Sequence, residues 1–114
     1  MPRYFSLAEF ACSETGDNKI KPSFVAEMDD LRDACGFPFV ITSGYRSPLH
    51  SVEAAKAKPG THSEGIAADV AVNGGHQRHL IVKYAMALGF EGIGVAKTFV
   101  HVDKRTTTPV VWSY

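Results

Sequence analysis

The sequence predicts an α+β fold: a small, mainly antiparallel sheet with two main helices packed on one face. Two segments, near 22–35 and 76–88, carry apolar residues at helical spacing, and short β-branched or alternating runs lie around them. Two of those runs, 92–95 and 99–103, flank Ala96-Lys97-Thr98, a spacing suited to a hairpin. The 114 residues make a single domain, since domains take ~100 to 200 residues. A content of 45% hydrophobic and 21% charged residues builds one core and excludes a disordered chain.

Residues 5–12 (FSLAEFAC) read as a short first helix or turn. Pro22-Ser23 opens a clearer helix with Val25, Met28, Leu31 and Cys35 near one stripe, and Gly36 stops it. Phe39-Val40-Ile41-Thr42 reads as a buried strand ending at Ser43-Gly44. A loop runs from about Tyr45 to Thr61; within it 52–58 (VEAAKAK) has helix-forming composition but no apolar stripe. Gly65 to Val72 is a second strand, broken by Gly74-Gly75. The helix from about His76 to Leu88 places Leu80, Ile81, Tyr84, Ala85 and Leu88 on one side, with Gly89 at its end. After the hairpin, Pro109 to Trp112 adds an edge strand, and Val110 to Tyr114 is expected to pack into the core rather than wall a cleft.

Composition narrows the function. Twelve Lys plus Arg balance 12 Asp plus Glu, so no field gathers nucleic acid or anionic lipid. No apolar stretch approaches the ~20 residues of a membrane helix, and the N-terminus lacks the apolar region of a secretory signal. Synthesis in the cytoplasm as a soluble monomer is the expectation. Cys12 and Cys35 form no C-x-x-C pair and are expected to be buried thiols.

Three polar segments stand at strand ends: Ser43 to Pro48, Gly60 to Asp69, and Phe99 to Asp103. On a strand of period 2, Asp69 shares its face with the small Ala67 and Gly65, while His101 shares its face with Phe99 and Asp103. Were the two strands adjacent, His62, Asp69 and His101 would converge as the three protein ligands of a catalytic zinc, a set that leaves one position for water. Such a zinc suits hydrolysis of an amide or ester. The competing reading makes them a loop histidine, a helix-capping or salt-bridging acid and a half-buried strand histidine.

The run Ser43-Gly44-Tyr45-Arg46, then His62-x-x-Gly65-x-Ala67-x-Asp69, then His101-Val102-Asp103, resembles the peptidase M15 family, most closely its short single-domain branch. Phe5-Ser6-Leu7-x-Glu9-Phe10 and Leu31-Arg32 extend the resemblance over nearly the whole chain. That family comprises zinc D-Ala-D-Ala carboxypeptidases and L-Ala-D-Glu endolysins. The resemblance implies one zinc peptidase domain over 1–114, of Hedgehog/DD-peptidase-like fold, with His62, Asp69 and His101 as zinc ligands. Arg46 is similar to the family arginine that contacts a substrate carboxylate or the developing oxyanion, work that suits a planar, permanently charged guanidinium. Ser43 and Tyr45 are candidates for substrate contact, with turn formation or packing as the alternative; His50, in the cleft-side loop, is a third.

Departures from the family pattern are equally informative. The acid that many members carry three residues before the last histidine ligand is here Thr98, which cannot act as a general base. Phe99 and Gly60 replace a histidine and a serine. Asp103 is the best substitute base, with a role in orienting a ligand imidazole as the alternative; Glu64 is a weaker candidate, and His76 and His79 are expected at the surface. The expected substrate is a peptide bond of the peptidoglycan stem, cut at the cell wall in the manner of an endolysin. The rival is a non-catalytic zinc module that binds a wall peptide or a protein.

Overall fold

The computed structural model describes residues 4–47 and 60–114. Residues 52–58, expected as an exposed turn of helix or an ordered loop, and His50 lie outside the described residues. The elements are one 3-10 turn (Leu7–Phe10), helices α1 (Pro22–Cys35) and α2 (Gly75–Ala87), and strands β1 (Ile41–Ser43), β2 (Ala67–Ala71), β3 (Gly92–Val95), β4 (Phe99–Asp103) and β5 (Val110–Ser113). The strands form one sheet in the order β1-β2-β4-β3-β5, antiparallel except for the parallel β3–β5 pair. This is the α+β architecture expected.

Each helix begins and ends where local chemistry permits. Pro22 sits in the first turn of α1, where no N–H partner is needed, and the Gly36 N–H closes the last turn on the Arg32 carbonyl. Val25, Met28, Leu31 and Cys35 are buried as the stripe requires, joined by Phe24. In α2 only Ile81 and Ala85 are fully buried; Leu80 and Tyr84 are partly covered and Leu88 is exposed, so its buried stripe is narrower than the sequence suggested. The Phe90 N–H bonds back to the Ala85 carbonyl, turning the chain into β3.

The period of the central strands sorts their side chains into two layers. Ala68, Val70, Ile93, Val100 and Val102 join α1, Ile81, Ala85 and Phe90 in the core. Each fully buried large side chain there contributes ~1.5–3 kcal/mol. The alternate positions, Asp69, His101 and Asp103, are polar and belong to the other face.

Two strand expectations need correction. β1 begins at Ile41 and is an edge strand, with Val40 64% exposed: pairing with β2 alone leaves one side of it to solvent. β5 is the opposite edge; Val110, Val111 and Tyr114 are exposed there, so the C-terminal segment is not core packing. Both cysteines are buried and free.

Candidate metal centre

In the β2–β4 ladder Asp69 faces His101 directly. That register turns the carboxylate and the imidazole toward the same point, with Asp69 Oδ1 3.0 Å from His101 Nδ1. His62 arrives from the turn before β2 and places Nε2 3.1 Å from His101 Nδ1 and 3.3 Å from Asp69 Oδ1. All three residues are buried. Among the described residues they are the group of three able to hold a metal ion.

The proton positions follow from the outer partners. His62 Nδ1 lies 2.7 Å from the Gly44 carbonyl, which can only accept, so Nδ1 carries the proton and Nε2 presents a lone pair inward. Gly44 is required for this arrangement: a Cβ would sit 2.6 Å from the Phe10 backbone, and Tyr45 N–H donates to the Phe10 carbonyl alongside. The Ser-Gly-Tyr-Arg run thus delivers a carbonyl to the back of the first histidine.

His101 Nε2 donates to Asp103 Oδ2 at 2.7 Å, leaving Nδ1 to face Asp69 and His62. Two imidazole nitrogens and a carboxylate oxygen therefore converge with their electron pairs directed at one another. Such a set is stable only with a positive charge at its centre, either an acquired proton or a metal ion. Burial works against charge on Asp69, yet His101 and His62, which donate to it once the cluster acquires a proton, hold its carboxyl well below the usual range. Burial likewise opposes protonation of His101, but Asp103 and Asp69 outweigh it and raise the imidazole's pKa. The donor chemistry fits zinc, which takes neutral imidazole and carboxylate in a three-ligand site.

The cluster forms the floor of a cleft of about 530 Å³. Arg46 stands on one side, its guanidinium 3.7 Å from Asp69 Oδ2, the oxygen not turned to the histidines. Arg105 stands on the other. Phe99, Trp112 and Tyr114 form an aromatic wall: Trp112 lies 5.1 Å from the His101 ring and Tyr114 5.1 Å from Phe99. Gly94, beside His101, gives the indole its room, since a Cβ there would come within 2.6 Å of it.

The remaining expected site residues are placed as follows. Ser43 pairs with Asp69 across β1–β2 and lines a small neighbouring hollow with Arg46. Tyr45 is 3% exposed and belongs to the core cluster, which favours the packing alternative over substrate contact. Asp103 also departs from expectation: it is 0% exposed and sits behind His101 rather than in the cleft. Its Oδ1 accepts from Arg105 N–H and Nε–H and its Oδ2 from Arg105 Nη2 and His101 Nε2, which saturates the carboxylate. Burial opposes its ionisation, but Arg105 and His101 keep the carboxyl well below the usual range. A carboxylate so held is a poor proton acceptor, and the orienting alternative is the one this geometry favours.

A family model described as Peptidase M15 matches residues 3–103. The chain belongs to the peptidase M15 family. Comparison with curated proteins finds no match. The M15 match spans His62, Asp69 and His101, while Arg105, Trp112 and Tyr114 lie beyond its end. Among the described residues, no helix is long and apolar enough to cross a membrane.

Arg105 and the aromatic wall are the features that sequence reasoning missed or misplaced. An arginine just after a strand carries no pattern of its own, and Gly92, opposite Asp103, marks only the room left for that carboxylate.

Proposed function

We propose that this M15 chain is a zinc metallopeptidase that hydrolyses a peptide bond in peptidoglycan stem peptides, acting as an endolysin-like enzyme on the cell wall. The observation that carries this reading is the convergence of His62 Nε2, Asp69 Oδ1 and His101 Nδ1 at the floor of an open cleft. A zinc ion held by these three atoms would supply Lewis acidity, polarising a carbonyl and making hydroxide available near neutral pH.

The chain's own residues divide the remaining work. Arg46, at the cleft wall, binds a substrate carboxylate or the negative charge that develops on the scissile carbonyl oxygen, and its position beside Asp69 keeps it within reach of both. Gly44 and Asp103 hold the two imidazoles in the tautomers that direct lone pairs inward. The aromatic wall excludes water from one side and offers apolar surface to a peptide. The Arg46 guanidinium at the cleft wall favours a substrate that carries a carboxylate, as stem peptides do, whereas the Arg105 charge is engaged by Asp103.

A second reading, a zinc-bearing module that binds a wall peptide without cutting it, is favoured by one observation. Among the described residues lining the cleft, Asp69 is the sole carboxylate, and Thr98 and Phe99 stand where a proton acceptor would be expected. Incubating the protein with purified peptidoglycan, with and without a chelator, separates the two. Chelator-sensitive fragments whose masses place the cut at L-Ala-D-Glu or D-Ala-D-Ala support the peptidase. Stoichiometric zinc and retention on peptidoglycan without fragments support the binding module.

A further inference from the structure

We infer that Arg105 is a positioning residue for the metal centre: acting through Asp103, it fixes the His101 imidazole with its proton on Nε2 and its Nδ1 lone pair toward the ion. This rests on the zinc reading of the cluster given above.

The geometry is a chain of contacts with few alternatives. Arg105 grips Asp103 three times, through its backbone N–H (3.0 Å), Nε (2.9 Å) and Nη2 (2.7 Å). The fork spans both carboxylate oxygens, a planar match that an ammonium cannot reproduce. Held this way, Asp103 presents Oδ2 to His101 Nε2 at 2.7 Å, and the same imidazole presents Nδ1 to Asp69 at 3.0 Å. Gly92, the cross-strand partner of Asp103, leaves the carboxylate its space; a Cβ there would collide with Asp103 Oδ1, Oδ2 and Cγ.

A second route joins the same two residues. The Arg105 guanidinium lies 5.1 Å from the Trp112 ring centre, and the Trp112 ring lies 5.1 Å from that of His101. Arg105 therefore borders the imidazole along two paths, through Asp103 and through the indole, whose ring is tilted 48° to it. With its side chain only 23% exposed, little of the guanidinium is left to roam in the cleft.

The test is zinc affinity, read by competition with a chromogenic chelator, on the whole chain and on Arg105→Gln, Arg105→Lys, Asp103→Asn and the double variant Arg105→Gln/Asp103→Asn. A positioning partner of a metal ligand is worth roughly 10–100-fold in affinity. Arg105→Gln is expected to lose about that much, Arg105→Lys nearly as much, and the double variant no more than Asp103→Asn alone, because Arg105 works through Asp103. A long-range ¹⁵N spectrum supplies the structural signature: His101 in the Nε2–H form in the unmutated chain, mixed tautomers in Arg105→Gln. Arg105→Gln affinity within twofold of the parent, or losses that multiply in the double variant, would overturn the inference. Absence of zinc binding in the parent chain would defeat the functional reading itself, while the His101 tautomer, read on metal-free protein at a pH high enough to keep the imidazole neutral, would still decide the role of Arg105. Should Arg105→Gln not fold, Arg105→Lys gives the same comparison with the charge retained.

Discussion

Asp69 and His101 are direct cross-strand partners in the middle of the sheet, and their facing atoms, Oδ1 and Nδ1, lie 3.0 Å apart. Backbone register alone therefore sets two of the three candidate ligands, and His62 completes the set from a turn tied to Arg46 and Gly44. A site built on central strands is rigid before any ion arrives, so metal binding should report on single side chains rather than on folding of the whole chain.

Replacing a ligand should abolish stoichiometric zinc while leaving the fold. For Asp69→Ala and His101→Ala, elemental analysis is expected to find well under one zinc per chain, with the far-ultraviolet circular dichroism of the parent. In the parent, zinc at about a thousandfold its Kd should stabilise by roughly 4 kcal/mol, seen as a rise on the order of 10 °C or more in Tm. Equal Tm with and without zinc would contradict the cluster as a metal site.

Much of this site could be read from the sequence, and the reason is periodicity. The alternation Phe99-Val100-His101-Val102-Asp103 separated the core-facing valines from the polar face, and Asp69 was placed the same way. Adjacency of the two strands was needed to bring the ligands together, and periodicity carries no information about which strands are neighbours. The sequence predicts the edge strand at Pro109 to Trp112 but favours core packing over a cleft wall for Val110 to Tyr114, because apolar and aromatic composition does not distinguish rings that fill a core from rings that line a cleft. Asp103 was placed on the correct face, but its burial and its capture by Arg105 are tertiary facts.

Gly92→Ala should be costly for its size. The added methyl must displace the Asp103 carboxylate, and overpacking of this kind costs ~1–3 kcal/mol. Urea unfolding is expected to show that loss together with weaker zinc binding. A neutral Gly92→Ala would mean that Asp103 relaxes freely.

Arg46→Ala should separate catalysis from metal binding. Removing a charge-stabilising donor from the transition state costs roughly 10²-fold or more in kcat. Zinc affinity should stay close to that of the parent, because Arg46 approaches the Asp69 oxygen turned away from the histidines. A parallel loss of zinc would assign Arg46 to holding Asp69 instead.

Alkaline pH should destabilise the fold through Cys35. Burial pushes this thiol up from 9.0 to about 11, so below pH 9 the folded and unfolded chains both keep the proton. Between 9 and 11 the unfolded chain releases it while the folded chain retains it, and stability falls as pH rises. Urea midpoints at pH 8 and pH 10.5 should differ more for the parent than for Cys35→Ala. Equal differences in the two proteins would remove Cys35 as a cause.

The central claim, that one zinc held by His62, Asp69 and His101 drives peptide hydrolysis, is tested most directly by adding zinc to metal-free protein in steps and measuring release of peptide fragments from peptidoglycan. The rate should climb linearly and level off at one zinc per chain. A rate indifferent to zinc, or full zinc binding with no fragment released, would contradict it.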